Sequence, residues 1–131
     1  MKPVSIRIIT DDIKRLTRFF ETVTGITANW LTEDFSELRS EGFTIALGST
    51  ATLKFFGTGV AQAGHNKAVI IEFLVRDVDQ EYEKVKTANA EIVQEPTTMP
   101  WGNRSLLFRD PDGNLINFFT PVTAAAKQKF G

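Results

Sequence analysis

The amino-acid sequence predicts an α+β fold of two tandem βαβββ modules, which form a curved mixed sheet around a cup with the helices on the outside. A short extended stretch, an aspartate and an amphipathic run occur twice, in residues 6–13 and 71–78. The two aspartates, Asp12 and Asp77, are 65 positions apart. A repeat of this length indicates that one supersecondary unit has been duplicated within the chain.

A second pair of similar segments lies later in each half. Residues 104–119 are expected to form a β-hairpin, because Pro111 presets the backbone of a turn and Gly113 tolerates a positive φ. Leu53-Lys54-Phe55-Phe56, in the other half, is similar to Ile116-Asn117-Phe118-Phe119, 63 positions later. The two nearly equal offsets favour a duplication over a chance similarity between phenylalanine-rich strands.

The first module is expected to span about residues 3–57. Alternating apolar and polar residues predict a strand over residues 4–10. Asp11 and Asp12 are candidate N-caps of a helix whose apolar residues recur at helical spacing until Gly25. Four short strands are then predicted, at residues 26–31, 36–40, 43–47 and 52–56.

The second module is expected to span about residues 68–121, after a small, polar linker at residues 58–67. A strand at residues 68–75 leads to Asp77, which is expected to cap the second helix. The other predicted segments are strands at residues 90–94, 104–108 and 115–120, a loop at residues 96–100, and a tail at residues 122–131 that contains a frayed helix.

The composition limits the classes of function. A chain of 131 residues is expected to form one domain with its own core. Cysteine is absent, which excludes disulfides, thiolate metal sites and cysteine nucleophiles. The net charge is −1 and the basic residues are scattered, so we expect no nucleic-acid partner. No apolar run is long enough to span a membrane, and we expect a soluble, cytoplasmic protein.

Two motifs resemble the vicinal oxygen chelate superfamily, which includes glyoxalase I, bleomycin-resistance proteins, fosfomycin-resistance proteins and extradiol dioxygenases. Asp12-Ile13, followed by Phe19-Phe20, resembles the signature of its first helix, and residues 108–116 resemble its second hairpin. The resemblance covers residues 4–121 and implies a single glyoxalase/bleomycin-resistance-like domain of paired modules. Members frequently form dimers, and the cup of metal-dependent members holds a divalent ion.

In those members the metal is bound by one residue from the first strand and one from the last strand of each module, usually His and Glu. The resemblance carries the first-strand positions onto Ser5 and Ile70 and the last-strand positions onto Lys54 and Asn117. Divalent ions prefer imidazole, carboxylate or carbonyl ligands. Because Ile70 has no lone pair and Lys54 would repel a cation, we expect neither a metal nor any other cofactor.

Several charged side chains are candidates for ligand contact. Arg7 and Glu72 each lie two residues beyond a first-strand position, and so face the same way as that position. They are expected to form an ion pair, to stay separately solvated, or to contact the ligand. Lys54 would neutralise either Glu72 or an anionic ligand. The predicted ligand-binding residues are Ser5, Arg7, Lys54, Phe56, Ile70, Glu72, Trp101, Asn117 and Phe119.

Aromatic side chains would supply the apolar part of the site. Phe56 and Phe119 are expected to form its floor, and Trp101 either covers a planar ligand or fills the core or a dimer seam. His65 is either a general base or a solvated histidine in the linker. Structural roles are expected for Trp30, which would fill the core or a dimer seam, and for Asp110 and Asp112, which would stabilise a turn.

Two main hypotheses follow. The first is a metal-independent protein of this superfamily that binds a small apolar or aromatic molecule in the cup, with sequestration of an antibiotic or toxin as its role, and forms a homodimer. The alternative is a glyoxalase-type lyase or isomerase, or a dioxygenase, that uses a divalent metal through non-standard ligands such as Glu72 and His65. In either case the catalytic residues are unknown. A dimeric protein-interaction module with a vestigial cup is a third possibility.

Overall fold

The computed structural model describes residues 1–57 and 59–131. The chain divides into two compact units, Met1–Asn66 and Lys67–Gly131. In each unit a strand and a helix are followed by three further strands, so the predicted α+β fold of two βαβββ modules is confirmed. Thr58, the first residue of the predicted linker, lies outside the described residues. None of the described helices is both long and apolar enough to cross a membrane.

The first unit is a four-stranded mixed sheet with one helix packed on it. Its strand order is β1-β4-β3-β2, in which β1 and β4 are parallel and the other pairs are antiparallel. Asp12 accepts a hydrogen bond from the Arg15 amide at the start of the helix, and Gly25 ends it at a φ of 72°. The elements are β1 (Ser5–Thr10), α1 (Ile13–Thr24), β2 (Asn29–Thr32), β3 (Phe35–Ser40) and β4 (Phe43–Ser49).

The prediction of a strand at residues 52–56 is wrong, because Thr50–Phe55 forms a 3-10 helix. The Thr52 hydroxyl donates to the Ser49 carbonyl at 2.7 Å, and the Phe56 amide donates to the Leu53 carbonyl at 2.9 Å. These local hydrogen bonds replace those of a strand ladder. Residues 54–56 are all exposed, so the segment also lacks the buried apolar face that would hold it in a sheet.

The second unit repeats the strand order of the first, as β5-β8-β7-β6. The predicted loop at residues 96–100 is wrong in part, since β6 continues to Thr98. Pro96 is tolerated there because β6 is an edge strand whose register shifts between Gln94 and Thr97. The elements are β5 (Ile70–Leu74), α2 (Val78–Thr87), β6 (Glu91–Thr98), β7 (Asn103–Arg109), β8 (Leu115–Pro121) and α3 (Ala124–Phe130).

The turn between β7 and β8 forms as predicted and is organised by Asp110. One carboxylate oxygen, Oδ1, accepts hydrogen bonds from the Asp112 and Asn114 amides, both at 2.9 Å, and Oδ2 accepts one from the Asn114 side chain at 2.7 Å. Burial raises the pKa of the Asp110 carboxyl above its usual range, and the hydrogen bonds from Asn114 oppose that rise. Asp110 is therefore a structural residue of the turn.

Each sheet has a helix-covered face and an open face, because successive side chains of a strand alternate between the faces. In the second unit Phe118 packs edge-on against Phe73 and Phe108, with ring centroids 5.3 and 4.9 Å away. These rings lie on the face that α2 covers. The neighbouring side chains of β8, Asn117 and Phe119, consequently point to the opposite, open face.

Candidate functional site

The open face of the second sheet carries one polar pair at its centre. Glu72 of β5 and Asn117 of β8 lie opposite each other in parallel strands. Asn117 Nδ2 donates a hydrogen bond to Glu72 Oε2 at 2.8 Å. Asn117 is buried, and its Oδ1 has no hydrogen-bond partner among the described residues. At this point the sheet therefore holds one buried acceptor without a partner, beside a carboxylate that is already hydrogen-bonded.

The open face of the first sheet is organised around Arg7. Its guanidinium carbon lies 4.8 Å from the ring centroid of Phe35 and 5.5 Å from that of Phe56. Both distances are in the range of cation–π attraction. Among the described residues no ion pair involves Arg7, so the groups found beside its guanidinium are aromatic faces rather than a carboxylate.

Lys54 does not occupy the position predicted for it. It lies in the 3-10 helix, where its ammonium is 5.2 Å from the Phe55 ring centroid. The sheet registers identify the true counterpart of Asn117, because β1 pairs with β4 as β5 pairs with β8. Arg7 lies opposite Ala46 just as Glu72 lies opposite Asn117. The predicted equivalence of Lys54 and Asn117 is therefore wrong, and Ala46 takes that place.

The residues at the family's metal-ligand positions do not fit a divalent ion. The corrected positions are Ser5, Ala46, Ile70 and Asn117, which lack any imidazole or carboxylate. A methyl group at Ala46 supplies no lone pair, and the neutral oxygens of Ser5 and Asn117 are weak ligands on their own. No cluster of three or more His, Cys, Asp or Glu side chains is found in the part of the chain that the structure describes.

The predicted aromatic residues differ in their surroundings. Trp101 is 68% exposed, in the turn between β6 and β7 that is closed by a hydrogen bond from the Gly102 amide to Met99. Phe56 is exposed beside Arg7, whereas Phe119 is only 6% exposed. The Phe119 ring contacts that of Phe130 in α3, with the centroids 5.0 Å apart. The helix predicted to be frayed thus covers part of the open face.

The remaining candidates lie at the surface. His65 is exposed near the C-terminal end of the first unit, with no ion-pair partner among the described residues. Trp30 is exposed in β2, so its predicted place in the core of the single chain is wrong. Ser5 and Ile70 are exposed at the first positions of β1 and β5.

Sequence reasoning missed two aromatic residues of the open faces, Phe35 and Phe130. A signal exists for each of them. Phe35 directly precedes the predicted third strand. It lies two residues before Glu37, so the two side chains are on the same face of the sheet, and Glu37 is opposite Ala46 in β4. Phe130 ends a run of good helix formers that follows Thr123, whose hydroxyl oxygen caps α3 by accepting a hydrogen bond from the Ala126 amide.

Two units of the same βαβββ order, each with a helix on one face of its sheet and polar and aromatic side chains on the other, define the paired βαβββ class of proteins. The chain belongs to the Glyoxalase/Bleomycin resistance protein/Dioxygenase superfamily, whose family model matches residues 2–118. The resemblance inferred from the motifs is therefore confirmed.

Individual proteins are similar to this chain in sequence or in structure. Uncharacterized protein YraH of Bacillus subtilis (strain 168) is 28% identical over 125 residues, which cover 91% of this chain and 98% of YraH. A glyoxalase/bleomycin resistance protein/dioxygenase family enzyme from Burkholderia phytofirmans PsJN is similar in structure, with a TM-score of 0.82 at 16% identity, covering 93% of this chain and 100% of its own.

A glyoxalase-related enzyme from Fulvimarina pelagi has a TM-score of 0.79 at 18% identity and covers 95% of this chain and 94% of its own. At these identities the two structural similarities establish the fold alone.

Proposed function

We propose that this protein binds a small, largely apolar or aromatic molecule without a metal ion, and that it serves to sequester such a compound, for example an antibiotic or a toxin. The ligand would contact the open face of a sheet. We propose binding rather than turnover, because the described polar groups of the open faces, an amide-bonded Glu72 and an Arg7 beside aromatic rings, do not pair a general acid with a general base.

The observation that carries the proposal is the chemistry of the family's metal-ligand positions. Asn117 takes the place of a metal-binding side chain, and its amide donates its hydrogen bond to Glu72. The Glu72 carboxylate is thereby held by a neutral neighbour instead of by a cation. On the other sheet, the Arg7 guanidinium lies near the rings of Phe35 and Phe56, a combination that suits a planar or anionic group.

The alternative, a metal-dependent lyase, isomerase or dioxygenase, has less support. It would need Glu72 and His65 as ligands, together with others that sequence and geometry have not identified. Metal analysis of the purified protein separates the two hypotheses. Stoichiometric zinc, nickel, iron or manganese that survives dialysis would contradict the binding proposal and favour the enzyme.

Binding can be tested by tryptophan fluorescence, because Trp101 is a largely exposed reporter. We expect some members of a panel of planar aromatic compounds to change the emission saturably. Phe35→Leu should weaken that response, because it removes an aromatic face beside Arg7. Lys84→Ala, on the exposed side of α2, is the control and should leave the response unchanged. A panel without any saturable response would contradict the proposal.

We also propose that the protein forms a homodimer. All four residues of the edge strand β2 are exposed, including the apolar side chains of Trp30 and Leu31. Exposed edge strands tend to pair with another chain, and burying these two side chains would be favourable. Sedimentation equilibrium would test this. A monomer at all accessible concentrations would contradict the dimer and leave the ligand proposal to its own test.

A further inference from the structure

A groove of about 520 Å³ lies within the second unit, between the end of β5, the end of β8 and the helix α3. It is separate from the Glu72–Asn117 pair, neither member of which lines it. The packing of the Phe130 ring on Phe119 holds the helix over one side of the sheet and so forms one wall. The groove is thus a product of the docked C-terminal helix.

The walls of the groove are mainly apolar. Leu74 and Phe130 line it while remaining 54% and 38% exposed, and Pro121 adds a third apolar surface. A ligand that covers apolar side chains exposed around a concave surface lowers the free energy of the complex, because it removes their apolar surface from water. A short alkyl or aryl group would supply that cover.

The two charged side chains that line the groove are both cationic, and Val75 and Gly131 also line it. Arg76 and Lys127 both line it and are exposed, and neither forms an ion pair among the described residues. The hydroxyl of Thr120 is already engaged, because it donates to the Val75 carbonyl and accepts from the Val78 amide, both at 3.0 Å. Among the described side chains that line the groove, the two positive charges therefore remain available to a ligand at the edge of an apolar surface.

The neighbouring acid, Asp77, does not cancel these charges by direct pairing. Its carboxylate accepts hydrogen bonds from the Asp79 and Gln80 amides, at 3.1 and 3.3 Å, and caps α2. A carboxylate held at a helix N-terminus is directed towards those amides. Arg76 and Lys127 therefore have no carboxylate partner among the described residues.

We propose that this groove binds an amphipathic monoanion, namely a small carboxylate with a short alkyl or aryl chain. The apolar part would cover Leu74, Pro121 and Phe130, and the carboxylate would lie between Arg76 and Lys127. The proposal does not depend on the function proposed above, because the groove belongs to the second unit alone and shares none of the residues on which that function rests.

Amide chemical shifts of the ¹⁵N-labelled protein would test the site, with octanoate as the probe and 1-octanol as its uncharged analogue. Octanoate should shift the signals of residues 74–76, 120–121 and 127–130 saturably. Octanol should shift the same signals with an affinity about three- to tenfold lower, because two exposed ion pairs are worth that much. Equal affinities, or octanoate shifts centred elsewhere, would overturn the proposal.

A matched pair of variants completes the test. Arg76→Gln with Lys127→Gln should lower octanoate affinity to that of octanol while leaving octanol binding unchanged. Lys14→Gln with Arg18→Gln makes the same change in net charge on the exposed side of α1, and should have little effect. If both double variants weakened octanoate equally, the effect would be one of overall charge, and the proposed site would be rejected.

Discussion

Asn117 donates a hydrogen bond of 2.8 Å to Glu72 across two parallel strands, on the face of the sheet that α2 leaves open. The resemblance to metal-dependent members of the superfamily places a metal-ligand position at Asn117, where this chain has a neutral amide. The pairing gives Glu72 a neutral donor and leaves the Asn117 carbonyl as a buried acceptor. Local stability at this pair is therefore sensitive to a change of charge.

Asn117→Asp is expected to destabilise the protein by about 1 kcal/mol near neutral pH, because two like charges would then face each other in neighbouring strands. The two carboxylates would raise each other's pKa in the folded state. Stability should consequently be recovered as the pH falls and one of the groups takes up a proton. Urea unfolding at neutral and mildly acidic pH would measure both effects.

The control for this variant is Glu72→Gln in the same chain. Combined with Asn117→Asp, it leaves one charge and one amide in exchanged positions, and most of the lost stability should return. A double variant as unstable as the sum of the single variants would show that the two side chains are not coupled.

Asp110→Ala is expected to lower the free energy of unfolding by about 2–3 kcal/mol, because the β7–β8 turn would lose three hydrogen bonds to one carboxylate. Asp112→Ala in the same turn is the matched control. One of its carboxylate oxygens, Oδ2, is buried without a partner among the described residues, so its removal should cost much less. Equal losses in the two variants would contradict the assigned role of Asp110.

The stability that Asp110 contributes is expected to decrease as the pH rises. Burial raises the pKa of Asp110 in the folded state, so the folded protein binds this proton more tightly than the unfolded chain. The resulting stability is fully present below the unfolded pKa and is lost as the pH rises through the folded pKa. The difference in stability between wild type and Asp110→Ala should therefore be larger in acid than at neutral pH, in parallel urea titrations.

Gly102→Ala is expected to loosen the C-terminal helix. Gly102 has a φ of +94°, and a Cβ atom there would collide with the side chain of Thr123, the N-cap of α3. The loss should be about 2–3 kcal/mol, from backbone strain, steric conflict and a disturbed cap. Thermal unfolding and amide exchange in residues 123–130 would measure it.

Gly113→Ala provides the control for that change. Its φ is +87°, but nothing lies within 4 Å of the added Cβ atom, so only the backbone strain of about 1 kcal/mol is expected. Amide exchange in α3 should stay as in the wild type. A similar loosening of α3 by Gly113→Ala would show that Gly102 has no specific part in docking the helix.

Ser36→Ala tests the contact between α1 and its sheet. The hydroxyls of Thr17 and Ser36 form a buried hydrogen bond of 2.9 Å. Removing Ser36 alone should cost about 1–3 kcal/mol, because the Thr17 hydroxyl loses its partner across the interface. Adding Thr17→Val should recover part of that loss, since no unpaired hydroxyl then remains. Urea unfolding of the wild type, the two single variants and the double variant would give the interaction free energy between Thr17 and Ser36 from a double-mutant cycle.

The predicted and observed structures agree best where the conformation of a short segment depends mainly on its own residues. Asp12 and Asp77 cap α1 and α2, and the turn at Asp110 forms where its residues predict it. They disagree at residues 52–56, where sequence similarity to β8 suggested a strand and local hydrogen bonds make a 3-10 helix. Four residues of similar composition carry too little information to define a strand, because pairing depends on a partner strand far away in the sequence.

The same distinction separates the candidate residues of the site. The sequence was enough to select Arg7, Glu72 and Asn117. Side chains alternate between the two faces of a strand, and together with the family's motifs this places all three on the faces that the helices leave open. The sequence could not identify Ala46 as the counterpart of Asn117, because that equivalence depends on the register between parallel strands joined by a long connection.

By itself the sequence determined the repeated strand and helix order, the helix caps at Asp12 and Asp77 and the turn at Asp110, because each depends on residues that are close together in the chain. Only the tertiary structure decided that Phe119 is covered by Phe130, that the last helix borders a groove, and that Arg7 lies beside Phe35 and Phe56. Those contacts join residues from different elements of the chain, so they stabilise the protein only after the strands have paired in the correct register.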